Sequence, residues 1–145
     1  MSTPEPRLRI ALAGSGDLPV DRTVRHVVPY LTKAKVVLLR RPKTRGRPPG
    51  GFERMVVRLA DVLGVNVQWC IPEGNDRGQS FLRDLDMVTK ADQVVGFFSV
   101  PTLDGGTGHV IEAAMSKGIP CEAWFVDADG EIERIGEYNP FEDGP

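Results

Sequence analysis

Two cysteines are all that this 145-residue chain contains, so a disulfide framework does not account for its stability. Cys70 and Cys121 each fall in an apolar run and read as small core residues of a reducing cytoplasm, not as a disulfide or metal pair. No apolar stretch approaches the ~20 residues of a membrane span, which argues against membrane insertion. Residues Met1 to Pro6 lack an apolar h-region, so a signal peptide is not expected. Cations are not in excess: 18 Lys and Arg face 20 Asp and Glu, and the net charge of −2 argues against general nucleic-acid affinity. Aromatics are few, at 7%, and there are no internal repeats. What is present is ordinary for one soluble globular domain: 26% charged and 41% hydrophobic residues, and enough length for a core. Only the ends read as disordered, which places a domain over 7–136 between tails at 1–6 and 137–145.

Apolar runs and helical patterns alternate along the chain. Strands are expected at Arg9–Ala13, Val36–Leu39, Val65–Ile71, Gln93–Ser99 and Cys121–Val126. Asp21 can cap a first helix carrying Val24, Val27, Val28 and Leu31 on one face, and Pro29 should kink it or end it early. A second helix carries Phe52, Met55, Val56, Leu59 and Leu63, with Gly64 as its stop. A third carries Phe81, Leu82, Leu85 and Val88, and a fourth runs from about Thr107 to Lys117 before Gly118. Asp127 to Gly130 signals a turn, and Glu131–Ile135 reads as a short extra strand. Phe97 and Phe98 are adjacent in a strand, so one should face each side of the sheet.

This alternation predicts an α/β fold of Rossmann-like type: an open parallel five-stranded sheet of order 3-2-1-4-5 with helices on both faces. In that order strands 1 and 4 are neighbours at the point where the order reverses, and ligands bind there, beside the strands' carboxyl ends. Two glycine turns would flank that crevice. Gly14, Ser15, Gly16 and Asp17 follow strand 1, and Gly105, Gly106, Thr107 and Gly108 follow strand 4. Glycines let a phosphate reach backbone N–H groups at a helix N-terminus, where the dipole favours an anion. They also close βα turns with no ligand at all. Thr107 can add a hydroxyl or cap its helix, His109 can contact a ligand or sit in solvent, and Asp17 can bind a ribose hydroxyl or hold its turn. The segment with Arg40, Arg41, Lys43, Arg45 and Arg47 reads either as solvated loop or as a lid over a polyphosphate or an acidic partner.

Several stretches in order resemble one family. Arg9 to Asp17 with Asp21 and Arg22 resembles a strand, glycine turn and helix; Pro49-Gly50-Gly51-Phe52-Glu53 resembles a second glycine turn. Arg83-Asp84-Leu85-Asp86-Met87, followed by Ala91 to Phe98, is similar to an Arg-Asn-x-x-Met segment leading into a strand. Gly105 to Gly108, then Gly118-Ile119-Pro120, is similar to a terminal Gly-Gly-x-Gly-Thr turn and its sequel. Together they resemble the SLOG superfamily of Rossmann-like nucleotide-binding proteins, most of all its YspA-type branch, over nearly all of residues 8–126. The resemblance implies ligand contacts at Gly50 and Gly51 and a phosphate contact at Arg83. In the related Lonely Guy branch, which cleaves the N-glycosidic bond of nucleoside monophosphates, the glycine turn is followed by a glutamate. Here the position three after Thr107 is Val110, and the nearest acid is Glu112. Glu112 is the one candidate for a catalytic nucleophile, or an ordinary solvent-facing helix residue.

These readings lead to an expected function: binding of a nucleotide or nucleotide-derived, phosphorylated small molecule in the crevice, as a sensor or sequestering protein. No cofactor or metal is expected. Two alternatives stand beside it. One is a nucleoside-phosphate N-glycosidase or deoxyribosyltransferase using Glu112; the other is single-stranded nucleic-acid binding through the basic segment, which charge and aromatic content disfavour. A homo-oligomer is admitted by analogy with the family, and a cytoplasmic location is expected.

Overall fold

A computed structural model describes residues 8–41, 50–71 and 77–140. The elements run β1 (Leu8–Gly14), α1 (Val20–Leu31), β2 (Ala34–Arg40), α2 (Gly51–Leu63), β3 (Asn66–Cys70), α3 (Arg77–Thr89), β4 (Gln93–Phe98), α4 (Gly105–Ser116), β5 (Cys121–Val126) and β6 (Ile132–Tyr138). The sheet has six strands in the order β3-β2-β1-β4-β5-β6. The first five pair in parallel, and β6 returns antiparallel along β5. The five-stranded expectation is corrected at this edge. Asp127 makes the return tight: its Oδ1 accepts from the amides of Asp129 at 2.9 Å and Glu131 at 3.0 Å, and Gly130 takes φ +84°. The extra strand is longer than Glu131–Ile135. It continues two residues past the expected boundary at 136, because Cys121 and Glu122 pair with Tyr138 and Glu137.

Both faces of the sheet are covered, which is why the strands read as near-continuous apolar runs. Ile10, Leu12, Val37, Leu39, Val95 and Phe97 pack under α1 and α2. Ala11, Ala13, Leu38, Val94, Phe98 and Ala123 pack under α3 and α4. Phe97 and Phe98 divide between these two clusters, as strand alternation requires.

The helix ends follow local chemistry, with one correction. Pro19, not Asp21, stands at the N-cap of α1, and Asp21 lies in the first turn. The Thr23 hydroxyl donates back to the Pro19 carbonyl at 2.9 Å. Pro29 does not end α1 at once; the helix runs two residues past it, to Leu31. Gly64 and Gly118 close α2 and α4 in the left-handed conformation, with φ +73° and +71°. At α4 the Ile119 amide reaches the Ala114 carbonyl at 2.9 Å and the Gly118 amide reaches Met115 at 3.2 Å, a Schellman closure.

Cys70 on β3 and Cys121 on β5 are both buried and free. They lie four strand spacings apart, about 19 Å, which no disulfide spans. Burial raises both thiols, Cys121 from 9.0 to about 11. A thiol raised on folding stabilises the fold below its unfolded pKa and loses that contribution as pH climbs through the folded value. Urea midpoints are therefore expected to fall between pH 9 and pH 11, and Cys121→Ala should flatten that fall. Gly14 supplies a second expectation. A β-carbon there would lie 2.4 Å from Phe52 Cγ of α2, so Gly14→Ala should cost about 1–3 kcal/mol in urea denaturation.

Candidate anion-binding crevice

The carboxyl ends of β1, β2 and β4 meet the start of α4. Continuing the parallel register of Ala11 with Leu38 by two residues sets Ala13 beside Arg40, and Ala13 pairs with Gly96. Arg40, Ala13 and Gly96 thus form a row across the α3–α4 face, and two of the three are small. The Arg40 side chain crosses over this row to α4. Its Nη2 donates to Thr107 Oγ1 at 3.3 Å. A β-carbon on Gly106 would lie 3.1 Å from Arg40 Nη1, and one on Gly96 would lie 3.2 Å from Thr107 Cγ2. Larger residues at Ala13 or Gly96 would stand in the way of this contact.

The N-terminus of α4 keeps its donors. Asp104 occupies the N-cap without a side-chain cap bond, because its Oδ2 accepts from the Thr102 hydroxyl at 2.6 Å. The first helical bond runs from the Gly108 amide to the Asp104 carbonyl at 3.3 Å. The amides of Gly105, Gly106 and Thr107 precede it and have no carbonyl four residues back within the helix. The positive end of the helix dipole lies at the same point. Above it is the Arg40 guanidinium, whose Nε is buried without a hydrogen-bond partner among the described residues. An orphaned buried donor is costly, and an anionic oxygen is an acceptor that would satisfy it.

Behind Arg40 lies a charged pair on α3. Asp84 is 2% exposed; its Oδ1 accepts from Arg83 Nε at 3.1 Å and forms an ion pair with Arg83 Nη2, also at 3.1 Å. Burial raises the Asp84 carboxyl; Arg40 and Arg83 pull it back down. Burial likewise lowers the Arg40 guanidinium, against the pull of Asp84 and Glu53. Arg83, expected to hold a phosphate, is committed mainly to Asp84, and its Nη1 also reaches the Arg41 carbonyl at 3.5 Å. His109 is exposed and meets the Phe81 ring edge-on at 6.3 Å.

On the β1 side the residues divide by role. Gly14 is buried under Phe52 and answers to packing. The Ser15 amide continues the sheet by donating to the Phe97 carbonyl at 3.0 Å. Gly16 opens onto free space, and Asp17 is exposed, with Oδ1 accepting from the Ser99 hydroxyl at 2.5 Å. Gly50 caps α2 and Gly51 begins it. Gly108 also answers to packing, since a β-carbon there would lie 2.3 Å from the Leu103 carbonyl oxygen. Gly105 is required by conformation, with φ +71°.

Glu112 is exposed on α4, five residues beyond the buried Thr107. At about 100° per residue it points well away from the Thr107 side of the helix. Of the basic segment only Arg40 and Arg41 lie within the described residues; Lys43, Arg45 and Arg47 lie outside them. Ser99 joins the crevice although its residue type gave no motif; Arg40, read with the basic segment as solvated loop or lid, instead ends β2 and bonds to Thr107, and Asp84, quoted within the Arg83–Met87 resemblance, enters as the acceptor for Arg83. For Arg40 a signal existed: a charged residue ending an apolar strand one position from the switch point. Among the described residues no group of three or more His, Cys, Asp or Glu is placed to hold a metal, and no helix is long and apolar enough to cross a membrane.

Compared with known proteins, the chain matches no family model and no curated protein.

The Arg40–Thr107 bond can be tested without a ligand. Thr107→Val keeps the packing volume but removes the acceptor from a guanidinium that already carries one orphaned nitrogen. The expected loss is about 1–3 kcal/mol in urea denaturation, while Thr107→Ser should retain most of the stability.

Proposed function

We propose that the protein binds a nucleotide or nucleotide-derived small molecule, as a sensor or sequestering protein, with the ligand's phosphate seated on the N-terminus of α4 beside Arg40. The observation that carries this reading is the buried, unpartnered Arg40 Nε, held by Thr107 over the open amides of a glycine-rich helix start. Backbone amides, helix dipole and guanidinium there act on one point, and all three favour an anion. The exposed edge of the crevice, with Gly16, Asp17 and Ser99, offers polar groups for the uncharged part of the ligand. Membership of the SLOG superfamily belongs to the same reading and rests on the order of the sequence motifs. The enzyme alternative draws less support, because Glu112 points away from Thr107 into solvent.

Small molecules released by denaturing the purified protein, identified by mass spectrometry, test the proposal directly. A phosphorylated, nucleotide-like compound is expected in the parent. Arg40→Met keeps an unbranched stem without the guanidinium and its charge and should lower affinity for that compound by more than tenfold, about 1.4 kcal/mol. Circular dichroism would establish that the variant is folded. A folded Arg40→Met protein that binds as the parent does would place the anion site elsewhere.

A further inference from the structure

A second cleft, of about 300 Å³, lies on the opposite face of the sheet, between α1 and the β5–β6 edge. In a doubly wound sheet a helix after β5 would be available to cover this face, but here the chain turns back as β6. Tyr30, Phe97 and Trp124 supply aromatic walls, and Pro29 and Ile132 close its sides. Glu122 is a carboxylate among these rings. Its Oε2 accepts from the Tyr30 hydroxyl and, at 3.2 Å, from Trp124 Nε1, which also donates to the Tyr30 oxygen at 2.9 Å. Its Oε1 makes no hydrogen bond among the described residues. Burial and the neighbouring Glu122 raise the Tyr30 phenol far above its usual value, so Tyr30 remains a donor and Glu122 the acceptor. The cleft is held in shape from the far side: His26 Nε2 and Arg25 Nη2 lie 2.7 and 2.9 Å from the Gly130 carbonyl and tie α1 to the β5–β6 turn.

Two ligand chemistries suit aromatic walls around a carboxylate. An organic cation would use the ring faces and the charge together. Those faces already meet cations, however: Arg134 lies 5.0 Å from the Trp124 ring centroid and Lys33 lies 5.8 Å from that of Tyr30. A further cation would be repelled. A neutral planar ring with an N–H on its edge meets no such repulsion; it can lie among the aromatic side chains and donate to the free oxygen. We infer that this cleft is a second binding site, distinct from the crevice, for a neutral planar heterocycle of the nucleobase type that donates an N–H to Glu122 Oε1.

Trp124 reports on this cleft. In a Trp69→Phe background it is the only tryptophan, and guanosine serves as the probe. Guanosine is expected to quench its fluorescence saturably. Guanosine methylated at its ring N1, which lacks the N–H, should bind more than about tenfold more weakly. Glu122→Gln, which exchanges one oxygen for a donor amide at constant size, should weaken guanosine by a similar factor. Arg40→Ser should leave the quench unchanged, which separates this site from the crevice. The inference is overturned if the quench does not saturate, if methylated and unmethylated guanosine bind alike, if a folded Glu122→Gln protein binds as before, or if Arg40→Ser abolishes the signal.

Discussion

The crevice depends on a row of small residues across the carboxyl ends of the strands. Ala13 and Gly96 leave enough room above the sheet for Thr107 to settle and for Arg40 to reach it from two strands away. A larger side chain at either position would part Arg40 from α4. The same row sets how close α4 lies to the sheet, because Thr107 Cγ2 and Ile111 Cδ1 both lie 3.2 Å from where a Gly96 β-carbon would be, closer than an ordinary contact. Packing and electrostatics therefore share one constraint. The guanidinium is buried because the helix is close, and the helix start faces a cation because the strand residues are small.

The glycines illustrate how one residue type serves different ends. Gly14 and Gly108 are required by neighbours inside the protein, the Phe52 ring and the Leu103 carbonyl. Gly105 is required by its backbone angle. Gly16 opens onto free space, and at Gly106 only Arg40 comes near, with Nη1 3.1 Å from where a β-carbon would be. A glycine-rich turn is thus partly a packing device, and its binding surface is narrower than its sequence.

The far edge of the sheet follows from the antiparallel return of β6. That strand completes the hydrogen bonding of β5, but it brings no helix to the α1–α2 face. Tyr30, Trp124 and Glu122 Oε2 hydrogen-bond to one another there, and a polar cleft with aromatic walls results. The edge itself carries Glu133, Arg134 and Glu137, charges of the kind that discourage further strand pairing.

The parallel core was legible in the sequence because its signals are local. Runs such as Val94 to Phe98 cannot be solvated on either face, and Gly64 and Gly118 mark helix ends through a backbone angle that other residues resist. The placing of Gly106 and Thr107 at a helix start beside β1 followed from the same patterns and the usual strand order. Asp21 misled because Pro19, three residues past Gly16, could begin the helix without a side-chain cap. The length of β6 was obscured because its one covered face is contributed by Ile135 and Tyr138 alone, too sparse an alternation to read. What only the tertiary structure decided is which charges meet. Arg40 lies 67 positions in the chain from Thr107, to which it bonds, and 44 from Asp84, whose charge acts on it, and no local pattern records either relation. Their meeting depends on strand order and on the small size of Ala13 and Gly96, properties of the folded sheet and not of any one segment.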